Sequence, residues 1–177
     1  LVAHDQSLHL RGPLSSVGGQ PASGGVASVD AVTGARLPAW STPGLSFDQI
    51  GPLDAGWLYL SARPAGSQST PTPRRLNPAT GLLDPAWVPP PMHGSVVVDR
   101  GELLFNGVTS GFGVTNATFV GSLDAATGQF RELFRTTAFL SSSMSVDGGT
   151  LYLNGGAGFF GPFEPATTIY AFDRNTG

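Results

Sequence analysis

The chain contains no cysteine. Disulfides, thiolate nucleophiles and cysteine-ligated zinc are therefore excluded. Lysine is absent as well: all nine basic residues are arginine, a choice that reflects GC-rich coding more than chemistry. Charged residues make up only 12% of the 177 residues, about half the usual ~25%. A net charge of −3 gives no reason to expect nucleic acid or an anionic membrane as a partner. No apolar run approaches the ~20 residues of a membrane-spanning helix. No signal peptide stands at Leu1, where processing or truncation would have removed one. What the chain has in quantity is glycine (25), proline (15) and hydrophobic residues (40%). Low charge, many turn formers and ample apolar side chains point to an all-β fold with tight turns, not to disorder.

The chain is internally periodic. VDAVTGAR from Val29, LNPATGLL from Leu76, LDAATGQF from Leu123 and FDRNTG at the end repeat one motif. Its first polar residues, Asp30, Asn77, Asp124 and Asp173, are spaced by 47, 47 and 49. The segments LHLRG, LYLSA, LLFNG and LYLNG precede them, centred on His9, Tyr59, Leu104 and Tyr152 at intervals of 50, 45 and 48. A third marker, the aromatic at Trp40, Trp87 and Phe134, lies six residues after each turn glycine. Three markers in one phase define units of about 1–47, 48–93, 94–142 and 143–177.

Each unit reads as four short strands. An apolar run such as VVVD from Val96 meets a tight turn, DQS, DAG, DRG or DGG, beginning at Asp5, Asp54, Asp99 or Asp147. The LYL-type strand follows, then a variable Gly/Ser/Pro loop and a third strand such as IYAFD. The motif Asp-x-x-Thr-Gly closes the third strand. Its carboxylate can accept backbone N–H groups two and three residues on, and its glycine can take the left-handed conformation. Asp30, Gly34, Asn77, Gly81, Asp124, Gly128, Asp173 and Gly177 are therefore read as a structural turn, not as catalytic groups. A four-stranded unit of ~45 residues matches a propeller blade. Trp40, Trp87 and Phe134 would fill the gaps between adjacent blades, each burying ~150–250 Å².

DAVTGARLPAW, NPATGLLDPAW and VDGGTLYLNGG resemble the bacterial delta-60 β-propeller repeats and, more loosely, the PQQ-like propeller repeats. GPLSSVGGQPASGGVASVDAVTG from Gly12 fits the delta-60 style best. The resemblance covers essentially the whole chain, though Asn77 replaces Asp and Phe134 replaces Trp. It implies a secreted or cell-surface bacterial protein. The expected fold is thus all-β: a β-propeller of four-stranded antiparallel blades, about four present with the fourth incomplete, as part of a larger ring. Remaining blades or a partner chain would close that ring. The expected function is a non-catalytic interaction or adhesion scaffold meeting a protein or glycan, with no cofactor, metal, nucleic-acid partner or membrane span. The rivals are a structural subunit of an extracellular assembly or filament, and a quinoprotein-like dehydrogenase. The adjacent cysteine pair of many such dehydrogenases cannot exist here.

Candidate binding residues concentrate in the loop GGAGFFGPFEP, where Phe159, Phe160 and Phe163 crowd among glycines and prolines; Phe112 marks a milder version in the preceding unit. Exposed aromatics can form a partner hot spot. The other polar candidates read as structural. His9 holds the slot of Tyr59 and Tyr152 and is expected to be half-buried, and His4 and His93 have no ligand spacing. Glu102, Glu132 and Glu164 are not paired by spacing, with Glu102 in a hairpin and Glu132 in an outer strand read as solvated surface, and Ser141, Ser142 and Ser143 read as a polar connection without a nucleophile elbow. Arg74 and Arg75 read as a solvated strand edge.

Overall fold

The structure is a computed structural model. It describes residues 1–12, 14–22, 25–37, 44–69, 71–90, 92, 96–109, 117–136, 140–155 and 169–177. Among them there is no helix, and so none long and apolar enough to cross a membrane. The fold is all-β and consists of small antiparallel sheets. The chain divides into two compact units, Leu1–Met92 and His93–Gly177.

In the first unit, strands β1 (Val2–His4), β2 (Ser7–Arg11) and β5 (Val26–Asp30) form the first sheet. The short hairpin β3 (Ser16–Val17) and β4 (Gln20–Pro21) interrupts it between β2 and β5. Strands β6 (Leu45–Asp54), β7 (Trp57–Pro64) and β8 (Thr72–Leu76) form the second sheet. In the second unit, β9 (Val96–Asp99), β10 (Glu102–Thr109), β11 (Ala117–Asp124) and β12 (Phe130–Thr136) make a four-stranded meander, the third sheet. Strands β13 (Leu140–Asp147), β14 (Thr150–Gly155) and β15 (Ile169–Asp173) make the fourth sheet.

Two turns recur at the same end of each sheet. The first joins the first and second strands through two residues. In three sheets Asp54, Asp99 and Asp147 end the first strand, and Ala55-Gly56, Arg100-Gly101 and Gly148-Gly149 all take positive φ, the geometry that matches strand twist. The first sheet departs from this pattern. Its strand ends at His4, so Asp5 is itself the first loop residue, at φ 49°, one place later than the other three aspartates.

The second turn is Asp-x-x-Thr-Gly. Asp30 Oδ1 accepts the amides of Val32 and Thr33 at 3.0 and 2.7 Å and the Thr33 hydroxyl at 2.9 Å. Asp124 repeats this with Ala126 and Thr127 at 3.0, 2.7 and 2.8 Å, and Asp173 with Asn175 and Thr176 at 2.9, 2.9 and 3.1 Å. The threonine hydroxyl also accepts an amide two residues on, as from Ala35 to Thr33 and Gln129 to Thr127, both at 3.2 Å. Gly34, Gly81, Gly128 and Gly177 sit at φ 70°, 70°, 74° and 73°, and each donates its N–H to the carbonyl of the motif's first residue. Only glycine takes that conformation without steric cost. The two turns are stitched together as well. Ala31, Ala125 and Arg174 donate N–H to Gln6, Gly101 and Gly149 of the neighbouring hairpin. At the equivalent place in the second sheet stands Pro78, which has no N–H to give.

Among the described residues the third sheet has a full fourth strand. In the second sheet it shrinks to the bridge Leu76↔Leu83, made by two bonds, from Asn77 N–H to Leu82 C=O at 2.9 Å and from Asp84 N–H to Arg75 C=O at 3.0 Å. Pro85 follows, and proline cannot continue a ladder. The first sheet has the matching bridge Val29↔Arg36, and its sequence carries the same Pro-Ala-Trp order. The third sheet has no proline there, and β12 runs for seven residues.

Each unit has its core between two sheets. In the first, Val26, Phe47, Leu58, Leu60, Ala62 and Leu76 are buried, with Val2, Leu45, Ile50, Leu53 and Leu83 packed around them. In the second, Leu104, Val120, Leu151 and Leu153 are fully buried beneath Val97, Phe134, Met144, Tyr170 and Phe172, among others. Leu58, Leu60 and Ala62 alternate on β7 with Tyr59 and Ser61, and all five are buried, so this strand is covered on both faces. Burying each such leucine contributes about 1.5–3 kcal/mol. Gly121 lets the third sheet close its other face: a Cβ there would meet the Phe130 ring at 2.6 Å, beside Phe105 and Phe119. An ionic tie joins the third and fourth sheets. Arg174, in the last turn, is buried against Asp99 and against Glu102 at 2.6 Å, and Glu102 also meets Arg131 at 3.0 Å.

Candidate functional site

Phe159, Phe160, Phe163 and Phe112 lie outside the described residues, as do Trp40, His93 and Glu164. Trp87 is 1% exposed and packs edge-on against Tyr59 at 5.6 Å. Phe134 lies between the third and fourth sheets, 4.9 Å from the Phe172 ring. Its other neighbour is Gly177, where a Cβ would approach the Phe134 ring to 2.7 Å. The residues 141–143 belong to β13 and are not a connection between sheets.

Three polar residues are placed differently from the sequence reading. Arg75 is not a solvated edge: its side chain is 13% exposed, held by Asp84 at 2.7 and 2.9 Å and stacked 4.6 Å from the Trp57 ring. That guanidinium, with the Ala86 amide, holds the Asp84 carboxyl below its ordinary range. Glu102 is not free in solvent but is shared between Arg131 and Arg174. His9, in the middle of β2, is fully buried, not half-buried. Its ring lies 6.4 Å from that of His4, and burial first, then the neighbouring His4, lowers its pKa to about 4. The turn aspartates Asp30, Asp124 and Asp173 are also held below the usual carboxylate range, by the backbone and threonine donors of their own turns. Among the described residues no three His, Asp or Glu side chains gather as metal ligands would.

Among its described residues the first unit has an open cleft of about 570 Å³ lined by Arg11, Gly12, Leu14, Ser15, Gly25, Ser46 and Phe47. Local geometry builds it. Gly12 donates N–H to the Gly25 carbonyl at 3.0 Å, one rung beyond the β2–β5 pairing of Arg11 with Val26. Leu14 then donates to the Gly12 carbonyl at 2.7 Å, which turns the chain sharply into the β3–β4 hairpin. Between the walls lies bare glycine backbone. Gly25 sits at φ 75°, and a Cβ on it would fall 2.9 Å from the Gly12 carbonyl oxygen.

The opposite wall is β6. Arg11 crosses to it and donates from Nε to the Phe47 carbonyl at 3.2 Å. That bond uses one edge of the guanidinium and leaves the two terminal nitrogens. Six of the nine arginines meet carboxylates: Arg63, Arg75, Arg100, Arg131, Arg135 and Arg174. Arg11 makes no ion pair among the described residues. The cleft is thus lined by one cation, two serines, the half-buried Leu14 and Phe47, whose carbonyl meets Arg11 and whose side chain is 4% exposed. None of the residues lining it is an acid or base that titrates near neutrality. This lining can hold an anion. Sequence reading passed the cleft over, because Arg11 and Phe47 are 36 residues apart. The only signal in the sequence was a Gly/Ser/Pro loop bracketed by Gly12 and Gly25.

Compared with known proteins, the chain matches no protein-family model and no curated protein.

Proposed function

We propose that the chain is a stretch of β-propeller that serves as a non-catalytic interaction or adhesion scaffold of a secreted or surface bacterial protein. The observation that carries this reading is the recurrence, at one end of all four sheets, of the same Asx turn with the same donors. Four meanders that begin with a two-residue hairpin and end at that turn are what a chain of blades requires. In each unit two successive sheets share one apolar core, as neighbouring blades would. Cradled hydrogen bonds give the motif's aspartates a structural task, so no catalytic role is needed to account for them.

A scaffold of this kind binds through its loops and clefts. The test is retention of the purified chain on arrays of defined proteins and glycans. Retention that survives dilution, and that falls when Phe159 and Phe160 are replaced by Ser, supports the reading. Failure to retain any ligand would overturn it. So would a redox-active chromophore with substrate turnover after addition of quinone and calcium.

A further inference from the structure

We propose that the cleft at Arg11 captures the free C-terminal carboxylate of a peptide whose last side chain is apolar. The inference rests on the reading of the chain as a binding scaffold and names a ligand for one site of it.

The cation comes first. A guanidinium tethered at Nε presents its two terminal nitrogens as a fork, the arrangement that suits a carboxylate held by two parallel bonds. Arg11 is so tethered, to the Phe47 carbonyl, and no described carboxylate occupies its fork. In a chain of net charge −3 whose other arginines are mostly paired with acids, an arginine kept open in a cleft selects for an anion brought from outside. The hydroxyls of Ser15 and Ser46 line the same space and can donate to the second carboxylate oxygen or the last peptide group.

The remaining lining decides what the anion is attached to. Leu14 is apolar and only half-buried, and the glycine pair Gly12 and Gly25 leaves room where side chains would stand. A volume of about 570 Å³ accommodates a terminal residue and the peptide group before it. An acidic sugar suits the cleft less. Its hydroxyls would lie against Leu14 without partners, a costly burial. Phe47, only 4% exposed, offers no ring face for a sugar to stack on.

The test uses the whole chain labelled with ¹⁵N and two probes, acetyl-Gly-Leu with a free carboxylate and the same dipeptide as its amide. The free acid should shift the amide signals of Gly12, Gly25 and Phe47, and the amide should bind roughly tenfold to a hundredfold more weakly, the loss expected for one charge-assisted pair. Arg11→Gln should weaken the acid by a similar factor. Leu14→Ser, which leaves the Arg11–Phe47 bond in place, should weaken acid and amide alike. Equal binding of acid and amide, or no response to the acid at its solubility limit, would overturn the proposal. So would a response to glucuronate in place of the peptide, or unchanged binding by a folded Arg11→Gln chain. None of these outcomes depends on Phe159 or Phe160, so failure here is distinct from failure of the scaffold reading.

Discussion

Lowering the pH from 7.5 to 5 should destabilise the fold through His9. The ring is fully buried in the first sheet, and its pKa is lowered to about 4 from an ordinary 6.5. The Ser7 hydroxyl donates to the His4 carbonyl at 2.8 Å, so its lone pair faces His9 Nε2 at 3.4 Å and suits the neutral Nε2–H ring. A group with a depressed folded pKa binds more protons when unfolded, so stability rises with pH between the two values and is lost as pH falls through them. The loss begins near 6.5 and is complete below about 4. At about 1.4 kcal/mol per pH unit the full effect is about 3 kcal/mol, of which about 2 is already gone at pH 5. Asp30, Asp124 and Asp173 also have lowered values, but they lose their contribution only below the ordinary carboxylate value of 3.8. The two windows do not overlap at pH 5. Urea denaturation at the two pH values, for the natural chain and for His9→Leu, reads the difference. The natural chain should lose about 2 kcal/mol and His9→Leu almost none. Equal losses in both would refute the assignment of the pH dependence to His9.

Four further outcomes follow from the packing. Gly121→Ala pushes a methyl to 2.6 Å from the Phe130 ring and 3.2 Å from the Arg131 carbonyl, and should cost about 1–3 kcal/mol in a denaturant titration. Arg174→Met leaves Asp99 and Glu102 without their shared cation; both acids keep some solvent, so about 1–3 kcal/mol should be lost, measured in the same way. Asn77→Asp gives Thr80 the acceptor that Thr33, Thr127 and Thr176 already have, and should raise Tm by about 1–2 °C in calorimetry. Gly25→Ala, strained at φ 75° and pressed on the Gly12 carbonyl, should lower Tm and abolish the amide shifts that acetyl-Gly-Leu produces in the cleft.

What could be read from the sequence was whatever is encoded locally. A short polar side chain, a threonine three residues on and a glycine four residues on carry the whole geometry of the Asp30, Asp124 and Asp173 turns, so their spacing places every meander. The hairpin aspartates were harder: Asp5 looks like Asp54, yet β1 ends one residue earlier and puts Asp5 inside the loop. The fourth strands depended on where proline falls, which is why Pro85 leaves a bridge and β12 a full strand. Long-range pairings were not legible. Arg75 looks solvent-facing in sequence, and only folding brings Trp57 and Asp84 onto it. The cleft is of the same kind, because its cation stands at the end of one strand and the carbonyl that aims it on another.

The central claim is that one module, repeated, builds this chain as successive blades. An experimentally determined crystal structure in which the rotation between consecutive sheets is measured tests it most directly. The account predicts that the rotation from the first sheet to the second equals that from the third to the fourth, at about 45–90° for a ring of four to eight blades. Sheets stacked as an aligned sandwich at about 30°, with no common axis, would contradict it.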